Sequence, residues 1–294
     1  MENNKLHKIL IVGGGAGGLE LATKLGNSLG KKKKAEITLI DAKKTHIWKP
    51  LLHEIAAGSI NPHKDELDYL AQGFWHGFKF RLGRMDNLDR EKKEVSLEPY
   101  FDNAGNEVIS RRTFKYDTLV MSIGSTVNDF SVSGAAEFSI ALDNQNQAER
   151  FHNRLHNAIV KAQTQNSKIQ PGQLEVVIVG AGATGVELAA ELHKATREMT
   201  AYGLENIDPD KDININLIEA SPRLLPALPL RISDAVADQL KKLKVNLFLG
   251  ERVTEVTSDG IKTHKDRKIL SQLVVWAAGI KAPDFLVNIA GLET

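Results

Sequence analysis

One pattern occurs twice in this chain and limits its fold more than any other feature. Residues 9–20 read ILIVGGGAGGLE and residues 176–187 read VVIVGAGATGVE, so most glycines of the two copies match position for position. Each copy starts with a short apolar run, typical of a buried parallel strand, and then follows the GxGxxG spacing that opens a helix. The repeat predicts two dinucleotide-binding folds in a single chain.

In the first copy each glycine of the motif has a separate physical task. Gly13 permits the tight turn after the strand, Gly15 lets a pyrophosphate approach the backbone, and Gly18 lets the helix pack closely on the strand. The helix N-terminus favours an anion, because its N–H groups are unpaired and its dipole is positive there. The next apolar run, at residues 37–40, leads to Asp41, which is suited to accept hydrogen bonds from an adenosine ribose.

The second copy contains the same parts. Its three motif glycines are Gly180, Gly182 and Gly185. The predicted strand at residues 213–218 ends in Glu219, and in both copies a later strand runs into a glycine, Gly124 in the first and Gly279 in the second. We expect one fold to hold a flavin dinucleotide and the other a nicotinamide dinucleotide, with their reactive rings meeting between the domains. The glycines alone do not decide which fold takes which cofactor.

The remaining pattern predicts an α/β fold class, with two Rossmann-like parallel sheets that carry helices on both faces. Short alternating runs between residues 78 and 112 predict a small antiparallel insertion in the first fold. A connector at residues 130–142 leads to Asp143, which we expect to cap a helix that extends to about Thr164.

Composition excludes several classes of function. The chain has 294 residues, a formal net charge of +1 and no cysteine, which rules out disulfides, thiolate metal sites and a redox-active dithiol within these residues. We predict no metal site and no nucleic-acid partner, and no run approaches the ~18 apolar residues of a membrane span. The lysine run at residues 31–34 is interpreted as a solvated loop, with contact to anionic lipid as the alternative. The polar N-terminus predicts a cytoplasmic location.

Six segments spread over essentially the whole chain resemble the two-dinucleotide-fold flavoprotein oxidoreductases, and among them the bacterial type II NADH:quinone oxidoreductases. They are IVGGGAGGLELATKLG, HIWKPLLHEIA, YDTLVMSIGS, IVGAGATGVELAAELH, EASPRLLPALP and VVWAAGIKAPDFL. The second and the last are specific to these single-subunit respiratory enzymes rather than to flavoproteins at large. The resemblance implies FAD in the first fold, NADH in the second, hydride transfer from NADH to FAD, and electron delivery to a quinone without proton pumping.

Carried over by position, the resemblance assigns cofactor-binding residues in both folds. Those implied for FAD are Gly13, Gly15, Gly18, Asp41, Lys49 and Gly124, and those implied for NADH are Gly180, Gly182, Gly185, Glu187, Glu219 and Gly279. Lys49 and His53 are candidate ligands for a flavin ring or phosphate, and the alternative, which we favour for each histidine of this segment, is a surface or packing residue. Glu187, the candidate catalytic residue, has two interpretations: a carboxylate that only favours the helix dipole, as Glu20 does in the first copy, or one that orients the flavin and nicotinamide or relays a proton to the quinone.

The resemblance also implies domains, partners and a location. The domains are an FAD-binding domain at 1–143, an NADH-binding domain at 144–285 and the start of a return to the FAD domain at 286–294. Family members continue into a Gly-Asp motif that grips FAD, a quinone-site segment and a membrane-binding region. We therefore expect the full-length protein to lie on the cytoplasmic face of the inner membrane, held there by residues beyond 294, with ubiquinone or menaquinone as acceptor and a homodimer as a further expectation. We expect the 294-residue chain itself to be soluble and to hold FAD weakly.

Two other functions fit the same residues. An NADH-dependent ferredoxin or rubredoxin reductase has the same two folds, and a panel of electron acceptors distinguishes it from a quinone reductase. A non-catalytic nucleotide-binding protein keeps both folds without turnover, and stopped-flow reduction of the flavin by NADH separates that one. Glu219 further predicts NADH over NADPH, because its carboxylate would repel a 2′-phosphate. Arg223 is the nearby cation that would neutralise such a phosphate, but we expect it to be a solvated loop residue that does not.

Overall fold

The computed structural model describes residues 5–102, 104–287 and 289–293. Positions 288 and 294 of the predicted returning segment, and positions 1–4 and 103 of the first predicted domain, lie outside the described residues. The chain divides into two compact units. Unit 1 comprises Met1–Trp48, His63–Thr126 and Ala282–Thr294, and unit 2 comprises Lys49–Pro62 and Val127–Lys281.

The elements of the described residues are numbered in chain order. The helices are α1 Ala16–Leu25, α2 Leu52–Ala57, α3 Pro62–Asp65, α4 Tyr69–His76, α5 Ala135–Phe138, α6 Gln145–Thr164, α7 Ala183–Ala201 and α8 Leu230–Lys242. A π-helical turn at Gly26–Gly30 and 3₁₀ turns at Lys49–Leu51, Asp284–Leu286 and Ile289–Gly291 accompany them.

The strands are numbered in the same way. They are β1 His7–Val12, β2 Ala35–Asp41, β3 Thr45–His46, β4 Leu67–Asp68, β5 Lys79–Leu82, β6 Met85–Asp89, β7 Glu94–Leu97, β8 Tyr100–Phe101, β9 Glu107–Ile109, β10 Arg112–Lys115, β11 Thr118–Met121, β12 Thr126–Val127, β13 Ile140–Ala141, β14 Glu175–Val179, β15 Asn214–Glu219, β16 Asn246–Leu249, β17 Val253–Thr257, β18 Gly260–Thr263, β19 Lys268–Leu270, β20 Leu273–Trp276 and β21 Ile280–Lys281.

Unit 1 is built on a parallel sheet with the strand order β11-β1-β2-β5. Alternate residues of its strands point to opposite faces, so each face has its own core. On one face Ile11, Leu39 and Phe80 pack with Leu19 and Ala22 of α1. The parallel sheet and the helix that follows the glycine turn confirm the α/β fold predicted from the repeat.

The opposite face of this sheet is covered by a second sheet. The antiparallel strands β10-β7-β6 place Val95 and Leu97 in one core with Leu10, Val12 and Ile40 of the parallel sheet. The predicted antiparallel insertion therefore covers the face where we expected helices, and it buries the apolar residues that a helix would otherwise cover.

One part of the predicted insertion was wrong. The run at residues 78–83 was included in it, but β5 pairs in parallel with β2, with Thr38 opposite Lys79 and Asp41 opposite Leu82. The physical reason is that β5 is an edge strand, in which Phe80 is buried while Lys79 and Arg81 are exposed. A half-buried edge strand alternates like an antiparallel one, so its periodicity does not reveal its direction.

Unit 2 repeats this plan. Its parallel sheet has the strand order β13-β20-β14-β15-β16. Ile178 of β14 lies against the start of α7, and α6 contacts β13 and β20. Val177 and Trp276 belong to a core shared with Val253 and Ile261 of the antiparallel sheet β17-β18-β19. The sequence analysis missed this second antiparallel sheet, although the run VTEVTSDGIKT shows alternation around a Ser-Asp-Gly turn.

Helix α2 lies in unit 2, although the sequence places it after the first glycine motif. It packs on α6 and α7 and buries the apolar residues Leu52, Ile55, Ala56 and Ala57. It ends at Gly58, which has φ +86°, and a Cβ at Gly58 would clash with the ring of His152 on α6. No helix in the described part of the chain is long and apolar enough to span a membrane.

The predicted start of α6 was wrong by one residue. Asn144, not Asp143, is the N-cap, and its side chain accepts a hydrogen bond from the Gln147 N–H at 3.1 Å. The carboxylate of Asp143 turns away from the helix, to Lys49 Nζ at 3.1 Å and the Val127 N–H at 2.8 Å. Either residue type can cap a helix, and these tertiary partners decide between them.

Candidate nucleotide-binding sites

The first glycine turn has the geometry that its three motif positions require. Gly13 has φ +102°, a conformation that side chains rarely adopt, and a Cβ there would lie 2.5 Å from the Ser122 carbonyl oxygen. A Cβ at Gly18 would clash with the carbonyl oxygen of Gly13, so the helix approaches the strand closely. A Cβ at Gly15 would meet no atom within 4 Å, which leaves the backbone accessible there.

The carboxylate of Asp41 closes this turn from the end of β2. Its Oδ2 accepts from the Gly14 N–H at 2.7 Å and its Oδ1 accepts from the Lys43 N–H at 2.8 Å. A carboxylate offers about four lone pairs, so acceptor capacity remains for ribose hydroxyls. Gly15 is the N-cap of α1 and has no side chain to accept from the first-turn N–H groups, which suits an anion.

A buried tyrosine supports the same turn, and the sequence analysis did not identify it. The Tyr69 hydroxyl donates to the Gly14 carbonyl oxygen at 2.6 Å, and its ring stacks on Phe80 at a centroid distance of 4.9 Å. Burial, and then the charge of Asp41, raise the pKa of Tyr69, so it stays a hydrogen-bond donor. Burial lowers the pKa of the neighbouring His46, against the opposing effect of Asp41. No spacing rule connects Tyr69 with Gly14, and so the sequence carries no signal for this contact.

The second glycine turn has the same geometry at its first glycine as the first turn. Gly180 has φ +103°, and a Cβ there would lie 2.7 Å from the Ala278 Cα. A Cβ at Gly185 would clash with the Gly180 carbonyl oxygen, whereas one at Gly182 would meet nothing within 4 Å. In both units, therefore, the first glycine permits the turn, the second leaves the backbone open and the third allows close packing of the helix.

Glu219 occupies the place of Asp41 in this unit. Its Oε2 accepts from the Ala181 N–H and its Oε1 from the Ser221 N–H, both at 2.8 Å. Arg223 does not pair with it in the described contacts; its guanidinium donates to the carbonyl oxygens of Pro226 and Leu228. The acid at the end of β15 is thus fixed by backbone groups on both sides.

A cavity of about 420 Å³ opens at the carboxyl ends of β14, β15 and β20. It is lined by Gly180, Gly182, Glu219 and Gly279 of the predicted NADH set, together with Phe130 and Trp276. This size and mostly apolar lining are typical of a small-molecule site, and the carboxyl ends of parallel strands are where such folds bind ligands. The four residues predicted from spacing are brought together here.

Phe130 is a second residue that the sequence analysis missed. Its ring lies over Gly279, where a Cβ would clash with it, and it is 60% exposed. Phe130 and Ser131 have φ of 52° and 55°, held by hydrogen bonds from their N–H groups to the side chains of Asn128 and Asp129. Two successive non-glycine residues in this conformation are uncommon and mark a constrained loop at the cavity.

The other predicted residues lie in different surroundings. Gly124 is exposed just after β11 in unit 1, with no atom within 4 Å of a Cβ placed there. Lys49 belongs to the segment of unit 2 that carries α2, and its Nζ pairs with Asp143 at 3.1 Å. The assignment of both residues to FAD stays a prediction.

Glu187, the candidate catalytic residue, lies in the first part of α7. Its side chain is 50% exposed, and its Oε2 is 3.5 Å from Nδ1 of His53 on α2. One turn farther along α7, Glu191 accepts a hydrogen bond from the Ser59 hydroxyl. The two glutamates therefore connect α7 to both ends of α2, and the matching Glu20 of α1 is exposed. This contact with His53 distinguishes Glu187 from a residue that only faces solvent.

Known proteins match this chain in sequence over most of its length. The sequence profile of the family described as pyridine nucleotide-disulphide oxidoreductase matches residues 7–294. A type II NADH:quinone oxidoreductase of Haemophilus influenzae is 41% identical over 98% of this chain and 67% of its own length. The type II NADH:quinone oxidoreductase Ndh of Mycobacterium tuberculosis is 29% identical over 94% of this chain and 58% of its own.

A solved structure gives the same result for the fold. NDH2 from Plasmodium falciparum in complex with NADH superposes with a TM-score of 0.81 at 22% identity, over 96% of this chain and 57% of that one. The chain thus spans roughly three fifths to two thirds of the length of these relatives.

Proposed function

Because the chain belongs to the pyridine nucleotide-disulphide oxidoreductase family, and within it to the type II NADH:quinone oxidoreductases, we propose that it functions in the oxidation of NADH through FAD, with a membrane quinone as the electron acceptor. The observation that carries the proposal is the pair of matching glycine turns, each closed by an acid from the next strand. Two such turns suit two dinucleotides, which is what electron transfer between NADH and a flavin requires.

The residues of unit 1 fit an FAD dinucleotide. Gly15 leaves the backbone open for a pyrophosphate, Asp41 has acceptor capacity for a ribose, and Tyr69 holds the carbonyl of Gly14 so that the turn keeps its shape. FAD, when bound, supplies the acceptor for a hydride and the donor for a quinone. The protein residues contribute binding and orientation, which is the usual division of labour in such enzymes.

The residues of unit 2 fit NADH. The cavity beside Gly182 takes a pyrophosphate at the start of α7, and Glu219 accepts from the ribose hydroxyls of adenosine. A 2′-phosphate would place its negative charge beside the carboxylate of Glu219, and the two groups would repel each other. NADH is therefore the expected substrate rather than NADPH. Hydride transfer itself needs positioning at near-attack distance and no acid, base or metal from these residues.

The chain contains no cysteine, so electrons cannot pass to a dithiol within it. The proposed acceptor is ubiquinone or menaquinone, without proton pumping. The proposed location is peripheral, on the cytoplasmic face of the inner membrane, with attachment through residues beyond 294. A homodimer is part of the same proposal. Glu187 is proposed as the residue of unit 2 that orients the reacting rings or relays a proton.

The proposed function is tested by anaerobic stopped-flow mixing of the FAD-loaded chain with NADH. We expect bleaching of the oxidised flavin absorbance, and slower bleaching at the same subsaturating NADH concentration in Gly182→Val, whose fold should be intact. A panel of soluble quinones, ferredoxin and rubredoxin then identifies the acceptor. Flavin that stays oxidised in the presence of NADH supports a non-catalytic nucleotide-binding protein, and faster turnover with ferredoxin than with any quinone supports the ferredoxin reductase function.

A further inference from the structure

Helix α4 of unit 1 presents an apolar face to solvent. Leu70 is 65% exposed, Phe74 is 85% exposed and Trp75 is 59% exposed, although all three are large and apolar. These residues follow one another around one side of the helix, with Leu70 and Phe74 one turn apart. Single exposed apolar residues are ordinary, but three on one short helix form a patch of the kind that marks an interaction surface.

The helix cannot rotate to bury this face. Its opposite side is fixed by Tyr69, which is 2% exposed, and by Gly73, where a Cβ would lie 2.7 Å from the Phe78 carbonyl oxygen. Its N-cap Asp68 accepts from the Ala71 N–H at 2.8 Å, and its C-cap Gly77 has φ +76°. The apolar face is therefore held outward by the packing of unit 1.

A group of lysines lies at the C-terminal end of the same helix. Lys31, Lys32, Lys33 and Lys34 are all exposed. A Cβ at Gly77, the C-cap of α4, would lie 2.7 Å from the Lys31 Cγ, and the lysine turn is ordered by hydrogen bonds from Lys33 to Gly30 and from Lys34 to Leu29. No ion pair joins these lysines to a carboxylate in the part of the chain that the structure describes. These unpaired lysines thus lie at the C-terminal end of the helix that carries Phe74 and Trp75.

We propose that the apolar face of α4 and the lysine turn at residues 31–34 together form a docking surface for an anionic lipid membrane. Trp and Phe side chains enter the headgroup region readily, and lysines beside them are attracted by negatively charged headgroups. The inference rests on the proposed function only for the presence of a membrane acceptor, and it adds a contact within unit 1 to the attachment proposed beyond residue 294.

The charges around α4 define how this helix is oriented at the membrane. Asp65, Glu66 and Asp68 lie at or before the N-terminal end of α4, where they would repel anionic lipid. The C-terminal end, with Trp75 and the lysine turn, therefore faces the membrane. A second copy of the chain fits this surface less well, because pairing the face with itself would bring two lysine turns to one interface.

The test is cosedimentation of the purified chain with vesicles of phosphatidylcholine containing phosphatidylglycerol, compared with vesicles of phosphatidylcholine alone. We expect binding to the anionic vesicles that weakens as salt is added. Each of Phe74→Gln and Trp75→Gln should lower the partition coefficient about tenfold. Each of Lys32→Gln and Lys34→Gln should lower it about fivefold.

Matched controls come from exposed residues elsewhere. Phe101→Gln removes an aromatic side chain that is 52% exposed on β8, and the pair Lys265→Gln and Lys268→Gln removes charge from unit 2. These variants should bind as the parent does. Equal binding by the α4 variants and these controls would overturn the proposal, as would no preference for anionic vesicles.

Two further measurements distinguish this surface from a dimer interface and from the cofactor sites. The first is the molar mass from light scattering. If it halves in Phe74→Gln and the parent does not bind vesicles, the face is an interface between copies and the membrane proposal is overturned. Reduction of FAD by NADH should be unchanged in the α4 variants. Failure of that reduction in the parent, with vesicle binding still dependent on Phe74 and the lysines, would contradict the proposed function and leave the docking surface supported.

Discussion

At the scale of single residues, the paired glycines separate a binding role from a packing role. A Cβ at Gly182 meets no atom within 4 Å, whereas one at Gly185 clashes with the Gly180 carbonyl oxygen. Gly182→Val should therefore change the free energy of unfolding by less than about 0.5 kcal/mol and weaken NADH binding at least ~10-fold, since its side chain occupies the approach to the pyrophosphate. Urea unfolding and NADH titration measure the two effects.

Gly185→Val is the matched comparison for that variant. Its side chain has no room between α7 and β14, so the free energy of unfolding should fall by about 1–3 kcal/mol or more. If the two variants lose stability to the same extent, Gly182 is a packing residue and its assignment to NADH is wrong.

Glu219 decides between the two nicotinamide cofactors. Its carboxylate is held by the N–H groups of Ala181 and Ser221, while Arg223 is engaged by backbone carbonyls. We expect kcat/KM for NADH to exceed that for NADPH by about 10- to 100-fold. This ratio corresponds to the free energy of one hydrogen bond to a charged group. Glu219→Gln should reduce this ratio by removing the repulsion of a 2′-phosphate. Equal kcat/KM values in the parent chain would refute the role of Glu219.

Glu187 is the residue for which two interpretations remain. In the functional interpretation Glu187→Gln slows flavin reduction or quinone turnover, and its contact with His53 is the geometric reason to favour an effect. Glu20→Gln, at the matching place in α1, is the control and should leave both rates unchanged. Rates that respond equally to the two substitutions, or to neither, would leave Glu187 as a helix-dipole partner.

At the scale of elements, α2 depends on the close contact at its C-terminal end. Gly58 has φ +86°, and a Cβ there would clash with His152 on α6. Gly58→Ala should lower the free energy of unfolding by about 1–3 kcal/mol, from backbone strain and from displacement of that ring. Gly105→Ala is a matched control, because Gly105 has φ +83° but no atom within 4 Å of a Cβ. Its cost should be the strain alone, so equal losses would exclude a role for His152.

The elements also show which parts of the fold can be predicted from sequence. The glycine turns, their helices and the acids Asp41 and Glu219 were predicted, because each depends on a short local pattern. The direction of β5 was not predicted, because buried and exposed residues alternate in an edge strand whether it pairs in parallel or antiparallel. The choice of Asn144 over Asp143 as the cap of α6 depends on Lys49 and Val127, which hold the Asp143 carboxylate. The support of Gly14 by Tyr69 and the place of Phe130 over Gly279 also join residues distant in sequence. Such tertiary contacts leave no periodic signal.

At the scale of the whole molecule, three histidines make stability depend on pH. Burial is the largest cause that lowers the pKa of His46, His152 and His193 below their ordinary value of 6.5. Each therefore binds a proton more readily in the unfolded chain than in the folded one. Their contribution is fully present above pH 6.5 and is lost as the pH falls below it towards the folded pKa.

We expect the free energy of unfolding, measured with urea, to decrease as the pH is lowered just below 6.5. His152→Gln should make this decrease shallower, because Gln does not titrate. A slope that is flat in the parent chain would contradict the buried, neutral state of these histidines.

The placement of α2 in unit 2 has a consequence for the order of folding on the ribosome. Its partners α6 and α7 are translated long after it, and α7 ends at Ala201, more than a hundred residues beyond Ala57. At about 5–20 residues per second, this gap lasts roughly seven to thirty seconds. The β11-β1-β2-β5 sheet can form in that interval, since all its strands precede residue 122. Until α6 and α7 are both complete, the nascent chain must carry the apolar face of α2 without the full pair of helices that buries it.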